Sequence, residues 1–468
     1  MMKIKIMMKI KIMMKIMIMM KNQDRATPEN LTTRTMNLRR PVARFALLSL
    51  ALGFICGCAQ MPREANPLFK FSFRSPPVPG CIPVTPETTY SNQTGFGFEP
   101  GADVKFVHGP GDKPGHAITS DKSFAFSVAL PEGNYKVLVT LGNPQSAAET
   151  TVEAELRRLM LQQIRTQPGQ FQTCSFIVNV RQPAIAGGGQ VRLKDREKDK
   201  EKWAWDDRLT LEFLGDHPSI SALEIQRADV PTLFILGDST VCDQSGEPFN
   251  SWGQMLPRFF KPAVAVANHA ESGESVASSL SAGRFQKVWS LMKRGDWLFV
   301  QFGHNDMKSR AANALQTYTG DLRKVVDQTR ARGGFPVLCT PVSRRSFDAG
   351  GKITNSFGGY PDAVRLVARE KNVPLIDLQE MGAAFYQALG PEAAPRAFAS
   401  PREITHHSDY GSYEIAQCVL QGIRQNNLPI AKFIVDDFKG FDPAHPDPMD
   451  SFKLPPSPLS TRETPEGN

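Results

Sequence analysis

A chain of 468 residues is long enough for two ordinary domains, each with a core of its own. Its formal charge of +8 is concentrated at one end: the first 44 residues hold eleven Lys/Arg against Asp24 and Glu29, which leaves the remainder at about −1. A near-neutral body gives no electrostatic reason to expect a nucleic-acid partner.

Residues 1–35 open on "MMKIKIMMKIKIMMKIMIMM", a low-complexity tract whose lysines interrupt every apolar run long before the ~20 residues of a membrane span. No folded role is expected for it, and Met36 reads as the initiator. From there residues 36–57 have the form of a secretory signal, with "MNLRRPVAR" as basic n-region and "FALLSLALGFI" as apolar h-region. The segment closes on Ile55-Cys56-Gly57-Cys58, which resembles a bacterial lipobox; that implies cleavage before Cys58 and lipidation of its thiol, with ordinary signal cleavage nearby as the alternative. Either way export is expected, the lipid holding the mature chain at a membrane, periplasmic or at the cell surface. Beyond Cys58 stand five scattered cysteines, Cys81, Cys174, Cys242, Cys339 and Cys418. No CxxC or CxxCH spacing suggests a metal or haem, and an oxidising compartment permits two of them to pair.

Residues 58–70 read as a polar tether. Over 71–228 the signals are those of short strands: "SFAFSVALPEGNYKVLVTLG" alternates Phe124, Phe126, Val128 and then Tyr135, Val137, Val139 around a Pro-Glu-Gly-Asn turn, the mark of a hairpin with one buried face. "CSFIVNVR" and "RLTLEFLG" continue the theme, and only "VEAELRRLMLQQIR" (152–165) carries a helical period. A β-sandwich is the expected architecture.

The pattern changes over 229–436. "PTLFILGDST", "DWLFVQFGHND", "FPVLCTPVS" and "VPLIDL" are continuous apolar strand runs, separated by helix-period segments such as "LQTYTGDLRKVVDQTRARG", "YPDAVRLVAREK" and "YGSYEIAQCVLQGIRQ". Strands buried on both faces and alternating with helices predict a parallel sheet in a three-layer α/β/α domain, with ligands outside the carboxyl ends of the strands. Residues 437–468 are Pro-rich, without periodicity, and expected to be loose.

Ser239 in "FILGDSTVCDQ" follows the first of these strands. A serine hydroxyl becomes a nucleophile only beside a base that a third group orients. Of the eight histidines, His406 in "REITHHSDYGSYEIA" has an acid, Glu403, three residues before it, whereas its neighbour His407 has Ile404 at that offset. Donors for an oxyanion are available from the backbone of Ser239 and Gly273 and from the side-chain amide of Asn305. Asp238 and Asp306 read as structural acceptors in their turns. His304 either lines the pocket or packs. Arg344 and Arg345 either meet a uronate carboxylate or pair within the protein. Trp203 and Trp205 either form a sugar-stacking platform or belong to a core.

The blocks "LGDSTVCD", "NHAESGES", "QFGHND", "TPVSRRSF" and "THHSDYGSYEIA", in this order between Pro231 and Asn427, resemble the SGNH (GDSL-type) hydrolases, and most closely the rhamnogalacturonan acetylesterases. The resemblance implies an α/β/α hydrolase domain behind a galactose-binding-like β-sandwich. It implies Ser239 as nucleophile, His406 as base, and Ser239, Gly273 and Asn305 as the oxyanion hole. The implied substrate is an acetylated polysaccharide or oligosaccharide, deacetylated without metal or organic cofactor. One departure stands out: the third member is usually aspartate, and here it is Glu403. A lipase or thioesterase on the same fold, and a glycan-binding protein with a decayed catalytic domain, are the competing readings.

Overall fold

The structure is a computed structural model that describes residues 68–109 and 113–466. The leader, the signal-like segment, Cys58 and most of the tether lie outside the described residues.

Alternation along Gly133–Leu141 buries Tyr135, Val137, Val139 and Leu141 and leaves the residues between them half-buried. One face of this strand is therefore core, and the same holds for its neighbours. The first sheet runs in the order Gln172–Val180, Gly133–Leu141, Ser219–Arg227, Phe69–Ser72, Ile82–Pro83, with Lys113–Thr119 and Lys105–Gly109 branching from Ser219–Arg227. The second runs Phe96–Phe98, Phe124–Ala129, Arg208–Asp216, Ala148–Ala154, Arg158–Thr166. Between them lies one core rich in phenylalanine, including Phe71, Phe73, Phe98, Phe124, Phe126 and Phe213. Each such ring is worth roughly 1.5–3 kcal/mol of burial. The expected sandwich is present.

The helix suggested over 152–165 is not. Val152–Ala154 completes one strand, Glu155–Arg157 turns with positive φ at Glu155 (59°) and Arg157 (55°), and Arg158–Thr166 returns antiparallel. The helical period arose because two strand ends abut across a turn of charged residues, Glu155, Arg157 and Arg158, all of which are buried.

The second domain carries five parallel strands in the order Ala265–Asn268, Thr232–Gly237, Trp297–Gln301, Phe335–Cys339, Leu375–Ile376. Leu233 and Ile235 face one apolar layer with helix Asp409–Gln425, while Phe234 and Leu236 face another with helices Arg284–Leu291, Ala314–Ala331 and Tyr360–Lys371. Burial on both faces explains the unbroken apolar runs and gives the three-layer sandwich expected. Helices Val276–Ser281 and Leu378–Ala393 complete it. Leu159 of the β-sandwich belongs to the apolar layer beneath Trp252 and Met255, so the two domains share packed surface. The five cysteines beyond Cys58 are all free.

The tail is not loose. Proline deprives it of helix and strand, but side chains tie it down. Tyr410 donates to the Asp447 carbonyl at 2.8 Å, Thr461 N–H to the Ser245 carbonyl at 2.9 Å, and Glu466 N–H to Ser272 Oγ at 2.8 Å. The Ser457 hydroxyl donates to the fully buried carboxyl of Glu212, which burial raises to about 7. Ser457→Ala is expected to cost about 1–3 kcal/mol in chemical denaturation, the penalty of an orphaned buried acceptor; an unchanged midpoint would mean that the tail contributes nothing.

Candidate active site

Gly237 ends the strand Thr232–Gly237 where nothing larger fits: a Cβ there would stand 2.5 Å from Val241 Cγ2 and 2.7 Å from the Gln301 carbonyl. The chain then turns sharply. Asp238 Oδ1 accepts from both the backbone N–H (3.0 Å) and the hydroxyl (2.8 Å) of Thr240, and its carbonyl accepts from Val241 and Cys242. Gln301 on the next strand donates to Thr240 Oγ1 at 2.6 Å, and Trp252 Nε1 holds Gln301 at 2.9 Å. Asp238 is thus the structural acceptor anticipated; burial raises it to about 6. Thr240, Gln301, Trp252 and Gln244, whose amide donates to the Ser239 carbonyl at 2.5 Å, gave no local signal in the sequence.

His406 lies in the loop before helix Asp409–Gln425, and its Nε2 is 2.8 Å from Ser239 Oγ. Both residues are almost fully buried. Glu403 curls back on itself. Oε1 accepts from the backbone N–H of Ile404 (3.0 Å), Thr405 (2.8 Å) and His406 (3.1 Å), while Oε2 faces His406 Nδ1 at 3.4 Å. At that separation the second contact is an ion-pair approach rather than a formed hydrogen bond, and such contacts tighten when substrate binds. Burial raises the Glu403 carboxyl, but the His406 side chain and the backbone donors outweigh it and bring it down to about 2. Glu403 is therefore ionised wherever an imidazole can act as a base.

His407 does something else. It pairs with the Tyr386 hydroxyl at 2.6 Å, stacks on Phe398, and accepts at its carbonyl from Asn250. Burial, and then the neighbouring His406 charge, lower it to about 3. It is a supporting residue in the core.

The oxyanion candidates follow three adjacent strand ends: Ser239 after Thr232–Gly237, Gly273 after Ala265–Asn268, and Asn305 after Trp297–Gln301. The backbone N–H groups of Ser239 and Gly273 make no hydrogen bond to another described residue. Asn305 Nδ2 spends one N–H on the Glu274 carbonyl at 3.0 Å, leaving the other. Asp306 Oδ1 accepts from Val276 N–H at 3.0 Å and so ties the Asn305 loop to the Gly273 side. Gly273 has φ +75°, and a Cβ there would stand 3.0 Å from Glu466 and 3.1 Å from Lys194 Nζ.

His304 is buried with neither ring nitrogen hydrogen-bonded, set edge-on to Phe357, and lowered well below the usual imidazole range by burial. Arg345 is committed internally, donating to the carbonyls of Pro401 and Glu403. Arg344 is not: among the described residues its guanidinium makes no ion pair, and burial outweighs the nearby Asp238 and Glu403 charges to lower it. With Lys308, Ser400, Arg402 and Thr405 it lines a cavity of about 390 Å³ that reaches Glu403. Trp205 is core, its Nε1 donating to Glu197 at 2.9 Å; Trp203 packs beside it and is only partly buried.

Residues 235–411 match the family described as GDSL-like Lipase/Acylhydrolase, and residues 69–178 match the Beta-agarase/YXIM esterase-like, galactose-binding domain-like family. The chain is 38% identical over 217 residues to the rhamnogalacturonan acetylesterase RhgT of Bacillus subtilis (strain 168), covering 43% of this chain and 94% of that protein. It is 34% identical over 214 residues to the probable rhamnogalacturonan acetylesterase YesY of the same organism, covering 44% and 98%. Over a longer span, 411 residues, it is 26% identical to the uncharacterized esterase YxiM of that bacterium, covering 84% of this chain and 99% of that protein.

Glu403→Gln is expected to lower kcat by up to about four orders of magnitude with KM little changed, because the imidazole loses the partner that fixes its tautomer; Glu403→Asp should stay within roughly tenfold. Steady-state kinetics on a small acetyl ester checks both. For His407 the sign is that of a buried neutral base. The unfolded chain takes up a proton below about 6.5 and the folded one only near 3, so stability falls as pH drops through that window, by on the order of 4 kcal/mol. His407→Gln should flatten this part of the melting-temperature profile; an equally steep profile would assign the slope to other groups.

Proposed function

Because the chain belongs to the GDSL-like lipase/acylhydrolase family, we propose that it is a serine esterase that removes O-acetyl groups from a rhamnogalacturonan- or pectin-like polysaccharide through an acetyl-enzyme on Ser239. The observation that carries the reading is the 2.8 Å approach of His406 Nε2 to Ser239 Oγ, both side chains almost fully buried. With Nδ1 protonated and facing Glu403, Nε2 accepts the hydroxyl proton as Oγ adds to the acetyl carbonyl. The tetrahedral oxyanion meets the Ser239 and Gly273 backbone N–H groups and the remaining Asn305 N–H. A single such donor is worth about 10²–10³ in turnover. Collapse expels the sugar alkoxide, which takes its proton from His406. Water then repeats the sequence on the acetyl-enzyme and acetate leaves.

The cavity beside Glu403 supports a charged saccharide. Arg344, Lys308 and Arg402 bring cationic heads to its wall, and Arg344 in particular lacks an acidic partner among the described residues. A uronate carboxylate supplies what that wall lacks, and a guanidinium binds it through two parallel hydrogen bonds.

Acetate release from acetylated polysaccharides, with and without uronate residues, tests the reading. Release is expected from the uronate-containing substrates. Ser239→Ala and His406→Ala should lose it by about four orders of magnitude or more. Arg344→Gln should raise KM on the charged substrates more than on the neutral ones. Retained binding to the polysaccharide with no acetate from any of them would favour the decayed glycan-binding reading instead.

A further inference from the structure

The hairpin turn between Ala148–Ala154 and Arg158–Thr166, which the sequence disguised as a helix, does not face solvent: Leu156, Arg157 and Arg158 are all buried. It enters the hydrolase domain directly behind the nucleophile. Arg158, 2% exposed, donates from Nε to Asp243 Oδ2 at 2.8 Å, and the other oxygen of Asp243 accepts from Asn268 at 2.8 Å. Asp243 lies four residues after Ser239 on the same loop. Arg157, 3% exposed, donates through Nη1 to the carbonyls of Gln244 (3.2 Å) and Phe249 (2.9 Å). Its Nη2 lies 3.5 Å from Asp409, the first residue of the helix that follows His406 and His407. The Leu156 carbonyl accepts from Gln254, whose amide also holds the Gln244 carbonyl. Gln244 in turn donates to the carbonyl of Ser239 itself.

One turn of the β-sandwich therefore grips the loop carrying the serine and, through the same guanidinium, the segment carrying the imidazole. A binding module that merely increased local substrate concentration would need neither contact. The positive φ of Arg157 adds to the argument, because that backbone costs free energy and persists where surrounding contacts over-determine it. Two buried guanidiniums are likewise costly to desolvate, and here that cost is offset by contacts to the Ser239 loop and to Asp409.

We infer that Arg157 and Arg158 are positioning residues for the proposed hydrolysis: the β-sandwich domain is a built-in part of the catalytic frame and sets the Ser239–His406 geometry from behind. This rests on Ser239 being the nucleophile.

The test uses the full chain and two readouts, kcat on a small acetyl ester and the rate constant for phosphonylation of Ser239 by a fluorophosphonate, in which Ser239 Oγ displaces fluoride. Arg157→Gln and Arg158→Gln are expected to lower both rates together, by about ten- to a hundredfold, with KM nearly unchanged. Arg157→Lys should recover part of the loss. Phe126→Leu, in the sandwich core away from the turn, serves as a stability control: measured equally far below its own melting temperature, it should keep both rates. Should the arginine variants fail to fold, Asp409→Asn preserves shape, keeps an oxygen for Asn250 and removes the charge that faces Arg157, and a fall of severalfold in both rates is expected from it. Arginine or Asp409 variants that match Phe126→Leu in both rates overturn the inference while leaving the esterase reading intact. Wild-type protein that takes no phosphonate at Ser239 overturns both.

Discussion

A hydrogen bond of 2.8 Å between Ser239 and His406 joins two residues 167 positions apart in the chain. Neither side chain can secure it alone, because a shift of about 1 Å at either loop breaks the hydrogen bond from Oγ to Nε2. Most of the architecture around it answers that requirement. Strand Thr232–Gly237 delivers Ser239 to the carboxyl edge of the sheet, and the missing side chain of Gly237 lets the backbone turn at once. Asp238, Thr240, Gln301 and Trp252 then form a chain of hydrogen bonds reaching back into the next strand and the opposite layer. On the far side, His407 anchors the base loop in the core through Tyr386 and Phe398.

The junction between the domains follows a different logic from either core. Arg158 with Asp243, and Arg284 with Glu197, are ion pairs across it with almost no solvent exposure. Replacing such pairs by apolar residues is often neutral or stabilising, so stability alone does not account for them. What they provide is direction. An apolar interface tolerates sliding, whereas a guanidinium set against a carboxylate at 2.6–2.8 Å fixes register. The apolar share of this junction is carried by residues such as Leu159, and the polar share ties the Ser239 loop to the β-sandwich.

The two domains were legible in the sequence for a simple reason. Period-two alternation in 135–139 and unbroken apolar runs in 233–236 and 297–300 are direct images of one-faced and two-faced burial. Ser239, His406 and Glu403 were legible because strand ends and a short acid-to-histidine offset are local features. The arginine turn was not. Its meaning lies in partners some 85–92 residues away, and in isolation Glu155-Leu156-Arg157-Arg158 looks like an amphipathic helix. The tail failed for the same reason, since proline content reports the absence of ladders and says nothing about a serine hydroxyl reaching Glu212. Arg344 and Arg345 were indistinguishable as neighbours in sequence, yet one is spent on two carbonyls and the other is left to the cavity.

Glu403 shows how a departure from a familiar pattern can be absorbed. A third member one methylene longer than aspartate would be poorly held if it simply extended toward the ring. Here the extra length is used to bend the carboxylate back over its own chain, so that its two oxygens divide the work. Oε1 collects the backbone N–H groups of residues 404–406, which keep it ionised and in place, and Oε2 is left facing Nδ1. One of those three donors is the backbone N–H of His406 itself. The carboxylate that faces the His406 ring is thus held by the backbone of the same short segment that carries the ring. What remains to be set from outside is the placement of this unit as a whole against Ser239, and the contact from Arg157 to Asp409, just beyond the base, is suited to set it.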